Sequence, residues 1–249
     1  MKRYRQHIKE MRNLEKRLTT RSKKKIKKVF LDFADKILKD NGQKYADEEA
    51  KVIIAINYEY LAREIKDALE IIFLYNLDET IGCFKTIYNK KLSSKVIKGI
   101  RDYVLENYNK KHAAEKVSRI TETTRKRLNK LIEEGQAAGW SRKTMVEEIQ
   151  KSVVGMSEYR ADTIARTETA SSINTTTYNT AKAAKMKEKG WVHLGGKKTY
   201  RENHKALNGR WIKIDELWNL GKGITTQAPH GAELPASEVV RCNCLQIYR

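Results

Sequence analysis

The chain has 249 residues, 40% of them hydrophobic, with 51 lysines and arginines against 31 acidic residues for a formal net charge of +20. Periodic apolar positions exclude a disordered chain, and the longest apolar runs, Val52–Ile56 and Ile71–Tyr75, are far short of the ~20 residues needed to cross a membrane. Three cysteines, an odd number, argue against a disulfide framework and for folding in a reducing cytoplasm, and no secretory signal follows Met1.

Residues 1–28 form a basic arm, with thirteen lysines and arginines against Glu10 and Glu15. Ile8, Met11, Leu14 and Leu18 recur at three and four residues, which suits a helix that orders on a partner. Charge of one sign at this density draws a polyanion by counterion release, without reading bases. Arg21, Lys23, Lys24, Lys25, Lys27 and Lys28 are the candidate DNA-binding residues, and deleting residues 1–28 is expected to remove most duplex binding.

Residues 29–155 read as a helical domain. Ile54, Tyr58, Leu61, Ile65, Ala68 and Ile72 share one helical stripe, and Ile81, Phe84 and Tyr88 form a second segment. A third helix, capped by Ser93 or Ser94, carries Val96, Ile97, Ile100 and Val104. A fourth runs from about His112 to Glu134, and Ser141 caps a short helix ending near Ile149. These stripes are core, and nothing in this region resembles an active site.

Residues 156–249 read differently. A further helix, rich in Thr, Ser, Ala and Asn, spans Ser157 to about Lys187. Strand-like segments follow at 191–194, 210–214 and 245–248, with turns at Gly195-Gly196, Asn208-Gly209, Gly221 and Gly223. The expected fold class is therefore α+β, a mainly helical N-terminal region followed by a small C-terminal α+β domain.

The chemistry-bearing residues cluster in this last third. Arg166 and Glu168 stand two apart on a helix, so they cannot pair with each other and must face elsewhere; ion pairing with the rest of the domain is the expected role. His204 lies one helical turn after Arg201 and just before the Asn208-Gly209 turn, which reads as a hairpin. Cys242 and Cys244, two apart in a strand, project their thiols to one face at a spacing that strains a mutual disulfide. Two readings stand: buried thiols packing a strand, or a tetrahedral zinc site completed by His204 and either His230 or His193.

In sequence order, Arg166-Thr167-Glu168-Thr169, Trp191, Arg201-x-x-His204-x-x-Leu207-Asn208-Gly209, Pro229, Pro235-x-x-x-Val239 and Cys242-x-Cys244 resemble the Mu F-like phage head morphogenesis family. The likeness covers about residues 140–249. The chain departs from the pattern in carrying Lys197-Lys198 where the family has Asp before the His. It also has Pro229-His230-Gly231 for Pro-Gly-Asp, and Arg241-Cys242-Asn243-Cys244 with Asn and Arg exchanged.

The resemblance implies a minor capsid protein in the virion interior, found in the host cytoplasm during procapsid assembly. Its implied partners are portal protein, major capsid or scaffold protein and DNA, with no membrane. No enzymatic activity is expected, because few acidic residues lie near His204 in the sequence. The alternative is a phage-delivered toxin or nuclease-type effector using His204 and its neighbours.

Overall fold

The computed structural model describes residues 2–42, 56–111, 113–195, 201–231 and 233–249. It is α+β, as the sequence implies. In chain order come helices α1 (Lys2–Gly42), α2 (Tyr58–Tyr88), α3 (Ser94–Lys111), α4 (Ala113–Ala137) and α5 (Arg142–Ala183). Then follow β1 (Glu188–His193), α6 (Glu202–Ala206), β2 (Trp211–Lys213), β3 (Trp218–Gly221), β4 (Ile224–Thr226), α7 (Ala236–Val239) and β5 (Cys244–Tyr248). The three-stranded antiparallel sheet has the order β2-β1-β5, and β3 and β4 form a separate hairpin.

Local signals explain the helix ends. Asn57 accepts from the Tyr60 amide at 2.9 Å and starts α2, and Asn89 ends it in the left-handed region at φ 48°. The Val96 amide donates to Ser93 Oγ at 3.3 Å, and the Thr144 amide to Ser141 Oγ at 3.2 Å, as expected of caps. Leu61, Ile65, Ala68 and Ile72 are buried as one stripe; Ile54 lies outside the described residues. The Phe84 and Tyr88 segment is the second half of the same helix, not a separate one.

Two helices are longer than the sequence pattern implies. The helix begun at Ser141 does not stop near Ile149 but runs unbroken to Ala183, through Gly155. A glycine in an exposed helix position costs only ~1 kcal/mol relative to alanine, which tertiary packing overrides. Likewise α1 passes residue 28 without interruption, and its first half is no free arm. Met11, Leu14 and Leu18 are buried with Phe84, Tyr88, Ile173, Leu245 and Tyr248, in a core that joins the helical stem to the sheet.

The main helical core lies further along α1, where Phe30, Phe33 and Ile37 meet Leu61, Phe73, Leu128 and Ile149. The Thr- and Asn-rich stretch of α5 is buried on nearly all sides between α1 and the sheet. Small side chains let its neighbours approach closely, and several hydroxyls and amides bond back to the helix's own carbonyls. Thr180 Oγ1 donates to Thr176 O at 2.7 Å, and Asn174 Nδ2 to Ala170 O at 2.9 Å.

His7 of α1 sits in the joining core, its ring 5.3 Å from that of Tyr88 and 6.3 Å from that of Tyr248. Burial lowers its pKa to about 4 from an ordinary value near 6.5. Between those values the unfolded chain binds the extra proton and the folded chain does not. Stability therefore falls as pH drops from about 6.5 to about 4, by about 3 kcal/mol, and levels off below that. His7→Phe should flatten the pH dependence in this window, as measured by urea unfolding at each pH; an unchanged slope would remove His7 as its cause.

Candidate functional site

The C-terminal unit is built on a small core of Trp191, Leu207, Trp218, Leu220 and Leu234, into which Cys242 and Cys244 are packed. The two tryptophan rings meet edge-to-face, with centroids 5.4 Å apart. Trp191 also packs edge-on against the His204 ring at 5.5 Å. The site thus forms the floor of a hydrophobic core rather than an open cleft.

His204 stands on α6 and is buried, with 1% of its surface exposed. Its Nδ1 lies 3.4 Å from Cys242 Sγ and 3.6 Å from Cys244 Sγ. All three ligand atoms fall within 4.8 Å of one another, an arrangement able to hold a metal ion. The thiols converge, but not by strand alternation as the sequence implied. Only Cys244 belongs to β5; Cys242 sits in the turn before it, after Arg241 at φ 55°. That turn aims the Cys244 amide at Cys242 Sγ, at 3.4 Å.

The Cys242 thiol is driven far below its usual range, first by the hydrogen bond from Cys244 and then by His230 and His204. Cys244 is pushed up, chiefly by sharing that proton. One thiolate is thereby favoured in a buried place.

The other side of His204 is tied down. Its Nε2 lies 2.8 Å from Glu238 Oε2, on α7. The Asn203 amide donates to the same oxygen at 3.3 Å, and the Arg201 guanidinium sits 3.9 Å from it. Arg201 also donates to the carbonyls of Ser237, at 2.6 Å, and Val240, at 3.0 Å, fastening α7 beside α6. A carboxylate on Nε2 fixes the tautomer that leaves Nδ1 as an acceptor facing the sulfurs. Glu238 is an acidic neighbour of His204 where the sequence led to few being expected; 34 residues separate them, so no local spacing announces the pair.

Two further histidines approach. His193, paired across the sheet with Cys244, puts its Nδ1 3.4 Å from Cys244 Sγ. His230, in the left-handed region at φ 60°, is buried, and neither ring nitrogen has a hydrogen-bond partner. Cys242 is nonetheless the chief charge raising its pKa, followed by Glu15 of α1.

The remaining motif residues play supporting parts. Arg166 is exposed and pairs with Asp162 at 2.9 Å, whereas Glu168 is buried and pairs with Lys116 of α4 at 2.6 Å. Asn208 accepts from the His193 amide at 2.8 Å, and Gly209 takes φ 80°. The turn is not the expected hairpin between strands: it ends α6 and leads into β2. Sequence patterns also missed the β3–β4 hairpin, whose turn at Gly221, Lys222 and Gly223 is left-handed throughout. Lys197 and Lys198 lie outside the described residues.

On α1 the basic residues separate by environment. Lys23 and Lys27 both pair with Glu158 of α5, the latter at 2.9 Å, and Arg21 stacks over the Tyr75 ring at 3.3 Å. Lys24, Lys25 and Lys28 stay exposed. So do Arg5, Lys9, Arg12 and Lys16, whose spacings of four, three and four make one stripe that the sequence reading passed over for the denser cluster.

The molecule is a helical stem bearing a small β unit with a buried histidine–dithiol cluster. Residues 126–247, which contain that unit, match the family described as phage Mu protein F like protein, and the match supports a Mu F-like head morphogenesis family. No curated protein and no solved structure matches it. No described helix is long and apolar enough to cross a membrane.

Proposed function

We propose that this chain is a minor head protein of a tailed phage, held at the portal vertex inside the capsid, where α1 contacts packaged DNA without reading its sequence. The observation that carries the DNA contact is the exposed stripe of Arg5, Lys9, Arg12 and Lys16. From Arg5 to Lys16 it spans roughly 16 Å at ~1.5 Å per residue, about half a turn of duplex DNA. Cations fixed on a folded helix meet phosphates without the ordering entropy of a flexible arm.

Portal, major capsid or scaffold protein would dock on the other faces during procapsid assembly. A cleft of about 360 Å³ between α4, α5 and the segment around His230 is lined by Ile120, Ile164, Leu234 and Val239, with exposed Tyr159 and Val240 at its edge. An apolar recess rimmed by charge suits a protein partner rather than DNA.

The histidine–dithiol cluster is a structural zinc site on this reading, not a catalytic one. His204 is buried, with Nε2 committed to Glu238 and Nδ1 to the sulfurs, which leaves a substrate no face of the ring to approach. The nuclease-effector alternative needs that face.

Replacing Arg5, Lys9, Arg12 and Lys16 with glutamine should weaken binding to a 30-bp duplex at 100 mM salt by at least about tenfold. The slope of log affinity against log salt should fall by about 3–4, since each phosphate contact contributes ~0.9. An unchanged slope, with the fold intact by circular dichroism, would dismiss the stripe as the DNA contact.

A further inference from the structure

Building on the reading of the α4–α5 cleft as a protein-docking site, we infer that its occupant is an acidic amphipathic helix of a partner protein. That helix would lie between α4 and α5, with apolar residues on Ile120, Ile164, Leu234 and Val239 and a carboxylate at Arg160. The cleft is a groove with a helical repeat. On α4 its lining falls at 115–116, 119–120 and 123, and on α5 at 159–160, 163–164, 167–168 and 171. A step of four residues keeps to one face of each helix, so the two walls run side by side. From Tyr159 to Ser171 the α5 wall is roughly 18 Å long at ~1.5 Å per residue, room for about three turns of a third helix. Anchors at i, i+3, i+4 and i+7 cover about two turns and fit within that length.

The walls are pinned before any partner arrives. Lys116 of α4 pairs with Glu168 of α5 at 2.6 Å, and Arg160 of α5 donates to the Ile120 carbonyl of α4 at 2.8 Å. These two ties set the helices antiparallel. Arg241 donates to Thr163 Oγ1 at 2.7 Å and to Asp162 at 3.3 Å, which fixes the floor carrying Val239 and Val240 against α5. A surface already in its bound shape is spared much of the ordering cost of association. Apolar side chains stand open at the edge of the groove: Tyr159 is 66% exposed and Val240 37%. Exposed apolar side chains that gather in one concave place mark a contact site, whereas scattered ones do not.

Charge decides the kind of helix. Lys116, Arg119 and Arg160 line the groove together with the carboxylates Glu115 and Glu168. Arg119 pairs with Glu115 and Lys116 with Glu168, so both carboxylates are already engaged. Arg160 has no carboxylate partner among the described residues, and its buried Nε has no hydrogen-bond partner. A guanidinium partly out of water and balanced by no anion favours an incoming carboxylate. A second copy of this chain is a poor occupant, because two bodies of net charge +20 repel each other. DNA brings the right sign of charge, but its phosphate surface would leave Ile120, Ile164 and Val239 uncovered.

The test uses the full chain and a fluorescein-labelled synthetic helix of about 18 residues, with Trp and Leu at i, i+3, i+4 and i+7 and Glu on both flanks. A control peptide carries Lys in place of every Glu. Anisotropy should show the acidic peptide bound at least about tenfold more tightly than the lysine peptide. Tyr159→Ala and Val240→Asp, both at exposed positions, should each weaken its binding about tenfold with the circular dichroism spectrum unchanged. Arg160→Gln should shrink the preference for Glu over Lys. No binding of the acidic peptide, or binding that neither exposed-site variant weakens, would overturn the inference. So would self-association of the chain that Val240→Asp abolishes, which gives the groove to a second copy. A preference for the lysine peptide at the same residues would overturn the assigned charge while leaving a protein-docking cleft. Protection of Tyr159 from iodination by a duplex of about 30 bp, with neither peptide protecting it, would remove the protein-docking reading itself.

Discussion

Deletion of residues 1–28 is expected to unfold the joining core, not simply to strip charge from the protein. Met11, Leu14, Leu18 and Ile26 are each buried to 4% exposure or less, and the first three cover Phe84, Tyr88 and Tyr248. At about 1.5–3 kcal/mol for each buried side chain, their loss approaches the whole stability of a typical domain, about 5–15 kcal/mol. The same deletion removes the Lys23 and Lys27 pairs with Glu158, although exposed pairs of that kind contribute little. The truncated chain should show no cooperative thermal transition and should aggregate. A monodisperse truncation with a native near-ultraviolet spectrum would mean that α1 is peripheral after all. It follows that DNA binding has to be tested by substituting exposed side chains, because truncation confounds charge with fold.

Trp191→Ala should be the most damaging single substitution in the C-terminal unit. Trp191 is fully buried and touches both the Trp218 and His204 rings, in the core that also packs Cys242 and Cys244. Truncating a buried tryptophan costs about 3–5 kcal/mol, which in a chain of this size lowers the melting temperature by about 10 °C. The cavity would open beside the dithiol, so Cys242 and Cys244 should become reactive toward a thiol reagent without denaturant. Trp191→Phe should lose less, since the edge-to-face contact with Trp218 survives. Were Trp191→Ala to melt within about 2 °C of the parent with both thiols still protected, this core would not be what shields the cluster.

These expectations rest on features that the sequence disclosed unevenly. The α+β class, the caps at Ser93 and Ser141 and strands near 191–194 and 245–248, which fall on β1 and β5, followed from patterning over a few residues. So did the pairing of Cys242 and Cys244 with a histidine, because residue types at close spacing carry their own chemistry. Glu238 did not: it is 34 residues from His204, so only the fold brings it in. Charge counting likewise located the basic segment but not its working face. It weighted Lys23, Lys27 and Arg21, which Glu158 and Tyr75 engage, above Arg5, Lys9, Arg12 and Lys16. Asn208-Gly209 correctly marks a positive φ at glycine, yet a dipeptide cannot say whether two strands or a helix and a strand meet there.

The unbroken path of α5 has a mechanical meaning. At ~1.5 Å per residue, its 42 residues make a rod of roughly 63 Å, with the stem packed along one half and the β unit along the other. Neither proline nor any break in the ladder interrupts it, and Gly155, with open space where a side chain would stand, adds no joint. α1 lies alongside as a second rod, seated in both halves. Two parallel struts cross-fastened at both ends resist bending far better than either alone. A push received on the basic face of α1 therefore reaches whatever grips the β unit as displacement of the whole body, with no hinge to absorb it.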